Sequence, residues 1–384
     1  MRAMRVITII CWVLVGTLLL GLAGWFLTGT VFGARSGWLG RAIPFNFNIG
    51  NMETLSGPFS FTETSRVETM GIDSIYINWV AGEMTITPHD GDSIEITELS
   101  QRELRDYEKL YMDISGNRLT IRFTQNRLTN RMPQKRLEVL VPRQLSGNME
   151  ALSVNSISGG VNIDAMVINA LDVGTTSGAI DLSDIAARDV DVNSTSGRIS
   201  LVTIQAENVE LDSTSGAVRV EFAQTGKLSI DTLSGSINVS DASANTLDLD
   251  TTSGAINATG VFNDVRLDSL SGAINLDNAA VNSVVFADTT SGTVSLSGAF
   301  YRVGADTLSG NVTIRSIIVP ASLTVDTTSG TINVTVPNED SITVRHSSTS
   351  GRFSSDIPVA IMPGRDAQFV FSTLSGNTTI HELR

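Results

Sequence analysis

The chain has a single cysteine, Cys11, in 384 residues. That excludes an intrachain disulfide and any zinc site built from cysteines. Its three histidines, His89, His346 and His381, are scattered and make no His-rich metal centre. Aromatic residues are sparse where they would matter for sugar chemistry. Residues 151–384 contain no Trp and one Tyr, Tyr301, whereas β-helix polysaccharide lyases and hydrolases stack sugar rings on aromatic side chains. No P-loop, dinucleotide fingerprint, His-Glu-x-x-His or calcium-loop motif is present. Serine is abundant, but no histidine accompanies it in an arrangement suited to nucleophilic catalysis.

Positive charge is also scarce in one part of the chain. Residues 1–150 hold 15 acidic and 15 basic side chains, and residues 151–384 hold 25 acidic and 11 basic, so the formal charge of −14 belongs to the second part. An acidic surface repels phosphate backbones, which argues against a nucleic-acid partner. Lys227 is the only lysine beyond residue 150.

Charge is missing altogether from Val6 to Leu27, 22 residues rich in Leu, Val and Ile. As a helix they span ~33 Å, enough for a bilayer core of roughly 30 Å. The nearest small-x-small cleavage candidate, Phe32-Gly33-Ala34, has a bulky residue where a small one is needed. The segment therefore reads as an uncleaved, single-pass anchor in a bacterial cell membrane. Arg2 and Arg5 precede it, and Arg35 and Arg41 follow it. The orientation taken is amino terminus inside and the remainder extracytoplasmic.

What the sequence has in quantity is a repeat. Ser-Gly occurs at Ser158, Ser177, Ser196, Ser215, Ser234, Ser253, Ser271, Ser291, Ser309, Ser329, Ser350 and Ser375, mostly 18–21 residues apart, with a last spacing of 25. With Ser as position zero, positions −6, −4, +3 and +5 are apolar in 45 of 48 cases, failing at His346, Thr378 and Ser355. Even spacing before the Ser and odd spacing after the Gly means two short strands joined by a bend. The Gly is expected there because it tolerates backbone angles that other residues avoid. A 19-residue unit cannot bury both faces alone, so units must stack. The fold expected is all-β: a single parallel β-solenoid of about twelve 19–20-residue coils.

Position +8 (Met166, Ile185, Ile204, Ala223, Val261) adds a third inward point per coil. Position −2 is Ser or Thr in all twelve units and points inward by parity, so its hydroxyls should bond to one another or to backbone near the bend. The residue before Ser alternates between Thr and Leu from Thr214 to Thr328. This fits either a duplication with one repeat per coil, which is preferred, or two repeats per coil.

The resulting division is residues 1–32, cytoplasmic tip and transmembrane anchor; 33–69, linker and chain entry; 70–150, an N-terminal β cap; and 151–384, the solenoid, with a C-terminal cap from about residue 353. Within the N-terminal cap, Ile75–Val80, Glu83–Ile86, Ser93–Thr97, Leu119–Phe123 and Leu137–Pro142 read as strands, and charged Gln101–Leu110 as a short helix.

The order Val80-Ala81-Gly82-Glu83-Met84-Thr85-Ile86-Thr87-Pro88, then Leu137–Pro142, then repeated Thr-Ser-Gly-x-Ile resembles the bacterial putative-adhesin family of β-strand-repeat proteins, over roughly residues 70–384. The resemblance implies an envelope-associated β-helix, right-handed, of a kind linked to adhesion or envelope-stress signalling. It brings no catalytic residues.

Two charge patterns stand out. Position −3 is Asp in seven successive units: Asp212, Asp231, Asp250, Asp268, Asp288, Asp306 and Asp326. These point outward about 4.8 Å apart. Asp turn chemistry accounts for such a column, with local hydroxyls and turn N–H groups donating to each carboxylate. The alternative is a weak Ca²⁺ strip over Asp231, Asp250, Asp268 and Asp288, the only metal site the sequence suggests. The second pattern is basic: Arg118, Arg122, Arg127, Arg131, Lys135 and Arg136, read as solvated strand faces or as a contact for anionic headgroups or envelope polymers.

These features favour a non-enzymatic, membrane-anchored cell-envelope protein that presents a rigid acidic solenoid to an unknown protein or envelope polymer. An envelope-stress sensor or regulator acting through a membrane partner is the alternative. A β-helix carbohydrate-active enzyme is a third reading. No cofactor is expected apart from weak Ca²⁺.

Overall fold

The computed structural model describes residues 53, 57–125, 132–339, 342–362 and 367–384. The expected membrane anchor at residues 1–32 lies outside the described residues. Among those described, no helix is long and apolar enough to cross a membrane. The described residues from 57 to 125 and from 133 to 384 form one compact unit, and Glu53 and Met132 belong to another.

The first elements of the large unit are β1 (Phe61–Glu68), β2 (Ser74–Asn78), β3 (Met84–His89), β4 (Ser93–Ser100), β5 (Tyr111–Ser115), β6 (Arg118–Arg122), β7 (Lys135–Pro142), a four-residue helix α1 (Arg143–Ser146), β8 (Met149–Ser156) and β9 (Val161–Asp164). Strand β2 lies between β6 and β8, and β3 between β7 and β9, all parallel. The first coil in sequence is thus the second in space. Antiparallel strands cover the outer edges: β5 pairs with β6, β4 with β7, and β1 with β4. Pairing edges this way leaves no open parallel ladder for another chain to extend. Two expectations fail here. Residues 61–68, read as linker, are a strand, and residues 101–110 form turns and bends instead of a helix.

From β8 the coils repeat through β10 (Val167–Thr175), β11 (Ile180–Ser194), β12 (Ile199–Ser213), β13 (Val218–Thr232), β14 (Ile237–Thr251), β15 (Ile256–Ser269), β16 (Ile274–Thr289) and β17 (Val294–Thr307). Register pairs Ile180 with Ile199, Ile199 with Val218, Val218 with Ile237 and Ile237 with Ile256. One repeat therefore makes one coil. The β11–β12 ladder skips Asp184 and Arg188, positions +7 and +11. Each such coil has three arms and three corners, at Ser-Gly, +7 and +11.

The +7 corner was not legible in the sequence. Ala165, Asp184, Thr203, Phe222 and Asp241 hold φ between +51° and +57° there, and Gly260 takes the place with φ +156°. Left-handed backbone costs a residue with a Cβ about 1–2 kcal/mol. The residues share no chemistry, so only the stack on either side can impose the turn.

The interior follows the columns. All twelve −6 residues are buried, from Leu152 to Phe369, and of the 48 column positions only His346, Phe353 and Ser355 are not. The +8 expectation holds for Met166, Ile185, Ile204 and Ala223 but not for Val261, which is exposed. Its coil is one residue shorter, so Val261 pairs with outward Ser243 and Phe262 fills the interior beside Ala244.

The Ser-Gly corner is a hydrogen-bonded unit. The −2 hydroxyl reaches the glycine three residues on, accepting from Gly178 N–H at Thr175 (2.9 Å) and from Gly272 N–H at Ser269 (2.8 Å), or donating to the Gly197 carbonyl from Ser194 (2.9 Å). The Ser hydroxyl donates to the coil before: Ser196 to the Thr176 carbonyl at 3.1 Å and Ser215 to that of Thr195 at 3.2 Å. The glycine is needed for a reason other than its backbone angle. A Cβ on any glycine from Gly159 to Gly376 in this column would lie 1.7–2.0 Å from the carbonyl oxygen of the glycine one coil below, and apart from Gly82 none of these glycines has a left-handed φ.

At the far end the elements are β18 (Val312–Ser316), β19 (Ser322–Thr327), β20 (Ile332–Val336), β21 (Thr343–Ser348), β22 (Phe353–Ser355), β23 (Ala360–Ile361), β24 (Phe369–Thr373) and β25 (Thr378–Glu382). Strand β24 lies between β19 and β21, and β25 between β20 and β22. The chain's last strands are therefore an interior coil, with Phe369 and Phe371 fully buried. The outermost coil is residues 343–361, and it contains all three column positions that are not buried. The cap expected at 353–384 is thus corrected: residues beyond 368 fill a gap instead of ending the stack.

Candidate functional site

The arm that runs into each Ser-Gly corner turns positions −5 and −3 outward. Register places Asp212, Asp231, Asp250, Asp268, Asp288, Asp306 and Asp326 in one unbroken column. It begins beside Asn193 and ends beside Ser372. Asp231, Asp250, Asp268 and Asp288 are thus brought together as the sequence predicts. Column −5 adds a second run that the sequence reading missed: Asp172 beside Asp191, Asp191 beside Glu210, and Asp248 two coils further on. The spacing signal was present, but only the −3 residues sit next to the conspicuous Thr-x-Ser-Gly.

Two carboxylates 4.8 Å apart repel by about 0.9 kcal/mol in water and about 3.5 kcal/mol at an effective dielectric of 20. Burial first, and this repulsion second, make the carboxyls of the strip harder to ionise. Partial burial and then the neighbouring Asp268 push the Asp250 carboxyl up to about 7. Burial and adjacent acids raise Asp191, Asp212 and Asp288 to about 6. Asp172, Asp231 and Asp306 are raised too, with burial the largest cause. Little neutralises the column: Arg266 Nε donates to Asp268 at 2.8 Å, and Lys227 acts on Asp231. Among the described residues, no Ser or Thr hydroxyl donates to Asp231, Asp250 or Asp288, while the Asp326 backbone N–H donates to Asp306.

A Ca²⁺ ion takes six to eight oxygens. The strip presents one carboxylate per coil, and a second where Glu210 stands beside Asp212 and Asp248 beside Asp250; among the described residues no three His, Cys, Asp or Glu stand together as an ion cage. Any Ca²⁺ bound there would be shared by a pair of carboxylates and completed by water.

The basic run does not form one patch. Arg127 and Arg131 lie outside the described residues. Arg118 stacks over Tyr76 at 4.2 Å and Arg136 over Phe59 at 4.5 Å. Lys135 is fully buried, its Nζ 2.6 Å from Glu98 Oε1. It also donates to the Glu108 and Phe123 carbonyls and lies against the Phe123 and Trp79 rings. Burial pulls the lysine down and pushes Glu98 up, each opposed by the other's charge. His346 sits half-buried against Phe353, its ring centroid 5.5 Å away, and burial lowers its pKa.

The Toastrack (DUF4097) family profile matches residues 72–261 and again 228–368. No functionally curated protein matches the chain. Among solved structures, the chain is similar to a putative adhesin from Parabacteroides merdae at 13% identity, covering 85% of this chain and 97% of that one, with a TM-score of 0.29. A putative adhesin from Parabacteroides distasonis matches at 10% identity, 84% and 97% coverage and TM-score 0.28. A putative cell adhesion protein from Clostridium sporogenes matches at 8% identity, 84% and 99% coverage and TM-score 0.22. No catalytic family is indicated. The two profile matches together span most of the sequence, along the stacked coils and their glycine column, and the chain belongs to the Toastrack family, DUF4097.

Proposed function

We propose that this protein is a non-enzymatic component of a bacterial cell envelope, anchored in the membrane by residues 1–32, whose acidic solenoid faces outward and binds a protein or envelope polymer. The observation that carries the reading is the column from Asp212 to Asp326, one carboxylate per coil in continuous register. A repeated charge on a rigid ladder suits a partner that is itself repetitive, because each coil adds one weak contact and the contacts sum by multivalency.

The test is attachment of intact cells displaying the full chain, compared with cells displaying Asp231→Asn, Asp250→Asn, Asp268→Asn and Asp288→Asn together. Attachment should fall for the variant at equal surface amount and should weaken with added salt. Equal attachment by both would remove the acidic column from the function. Protease added outside the cell should remove everything beyond about residue 35. A mature protein beginning near Arg35 would overturn the anchor.

A further inference from the structure

The buried pair at the first end of the stack holds an amine against a carboxyl. Lys135 opens β7, and Glu98 lies on β4, the antiparallel strand that covers it. Both side chains are fully buried, and Lys135 Nζ stands 2.6 Å from Glu98 Oε1. With one C–O bond of about 1.23 Å beyond that contact, Nζ is at most about 3.8 Å from the carboxyl carbon Cδ. Atoms poised to react stand roughly 3–3.5 Å apart.

The surroundings supply the other parts of an amide condensation. Nζ donates to the Glu108 carbonyl at 2.6 Å and to the Phe123 carbonyl. With two hydrogens held there, the third position on the nitrogen, a lone pair in the neutral amine, faces Glu98. The Leu110 N–H donates to both carboxyl oxygens, at 3.0 Å to Oε1 and 3.1 Å to Oε2. It therefore stands where negative charge gathers when Cδ becomes tetrahedral. The Phe123 and Trp79 rings lie 4.0 Å and 5.2 Å from Nζ and help to exclude water. Burial lowers the pKa of the lysine and raises that of the glutamate, which populates the uncharged amine and acid. A desolvated lysine amine is a competent nucleophile.

We infer that Lys135 and Glu98 condense in the folded chain to a side-chain amide, a covalent strap between β7 and β4. Nζ attacks Cδ, the C–N bond forms as the C–OH bond breaks, and the proton lost by nitrogen leaves with that hydroxyl as water. No oxidant or outside group is consumed. The hydrogen left on nitrogen keeps one of the two carbonyls as its acceptor. The product suits its place, because it replaces two buried charges with one neutral group. It also closes the segment from Glu98 to Lys135 in a chain whose single cysteine allows no intrachain disulfide. Condensation follows folding, so freshly folded protein holds the ion pair and aged protein the amide. Lys109 is the contrast. Its Nζ is 3.1 Å from Glu63 Oε2, but both side chains reach solvent, where water keeps the two ions charged.

The experiment is mass spectrometry of the folded full chain in mild detergent, sampled over several days. The intact mass should fall by one water. A tryptic digest should join residues 67–102 to residues 132–136 through an uncut Lys135, while Lys109 stays cleavable. Asp90-Gly91 lies in the first of these peptides and can lose water by closing an imide. Hydroxylamine, which opens an imide and leaves an amide intact, is therefore added before digestion. Lys135→Met and Glu98→Leu should each keep the full mass. A wild-type sample unfolded at once and held in denaturant should gain no link. Folded wild type whose Lys135 stays cleavable throughout overturns the proposal, and this reading does not depend on either variant folding. A loss of water that maps away from the pair overturns it too, as does a link that forms equally in denaturant.

Discussion

Gly351 rests on the carbonyl of Gly376, twenty-five residues later in the chain, and Gly376 rests on that of Gly330. The glycine column is therefore continuous in space while its last two members are exchanged in sequence. Each coil closes on the one below through this column, so the corner glycines set the coil spacing more strictly than the apolar residues do. An apolar interior can relax around a changed side chain; a Cβ 1.9 Å from a carbonyl oxygen cannot be accommodated without moving backbone.

Gly254→Ala tests this. Its Cβ would fall 1.9 Å from the Gly235 oxygen, and opening the ladder there should cost about 2–4 kcal/mol, in the range of core disruption. Gly147→Ala is the control, with its nearest contact an ordinary 3.7 Å from the Arg143 carbonyl. Melting should fall sharply for the first and stay within about 0.5 kcal/mol of wild type for the second. Equal melting of both would mean that the glycine column is not needed for close stacking.

The end of the stack gives a second test. Phe371 is fully buried in the inserted coil, whereas Phe353 is half-buried in the outermost one. Phe371→Ala should cost about 3–5 kcal/mol, the range for a buried aromatic, and Phe353→Ala less than half of that. If strand order followed chain order, the inequality would run the other way, since residue 371 would then belong to the terminal coil. Calorimetric melting of the two variants decides between these orders.

The columns were legible in the sequence because period-two alternation is forced wherever a strand has one buried face. The corners were legible only in part. Thr-x-Ser-Gly announced the first corner, but at +7 the stack imposes a left-handed turn on Thr203 and Phe222 as readily as on Asp184, and no residue type marks it. Swapped coil order at both ends left only indirect traces, the 25-residue spacing and the irregular column at His346. Lys135 was hidden for a different reason. Its partner Glu98 lies 37 positions away, and spacing alone cannot distinguish a buried lysine from the exposed arginines around it.

That buried pair is expected to be replaceable but not divisible. Glu98→Leu would leave Lys135 charged and without its carboxylate in a fully buried place, at a cost of about 3–5 kcal/mol. Glu98→Leu combined with Lys135→Met removes both charges and should recover most of the loss, because a well-packed apolar pair is often as stable as a buried ion pair. Denaturant midpoints of the two singles and the double measure the coupling directly. A double variant no better than the worse single would show that Lys135 is held for its donations to the Glu108 and Phe123 carbonyls.

The two acidic columns, at −3 and −5, should make stability depend on pH in the sense opposite to ordinary acid denaturation. Folding raises Asp250 from 3.8 to about 7 and Asp191, Asp212 and Asp288 to about 6. Between those limits the folded chain binds more protons than the unfolded one, so stability falls as pH rises from about 4 through 7. Below about 4 both states are protonated at these sites and the effect disappears; above about 8 the loss is complete. Melting temperature should therefore be higher at pH 5 than at pH 8. Asp250→Asn should raise it at pH 8 by roughly 1–2 °C, the shift that ~1 kcal/mol gives when about 300 residues unfold together, and should flatten the pH profile. Ca²⁺ enters the same measurement. If pairs of these carboxylates hold it, millimolar Ca²⁺ at pH 8 raises melting beyond Na⁺ at matched ionic strength in wild type, and does not in Asp250→Asn with Asp268→Asn. Identical curves in the two salts would dispose of the Ca²⁺ strip and leave the proton ladder standing. A melting temperature that climbs from pH 5 to pH 8 would dispose of both.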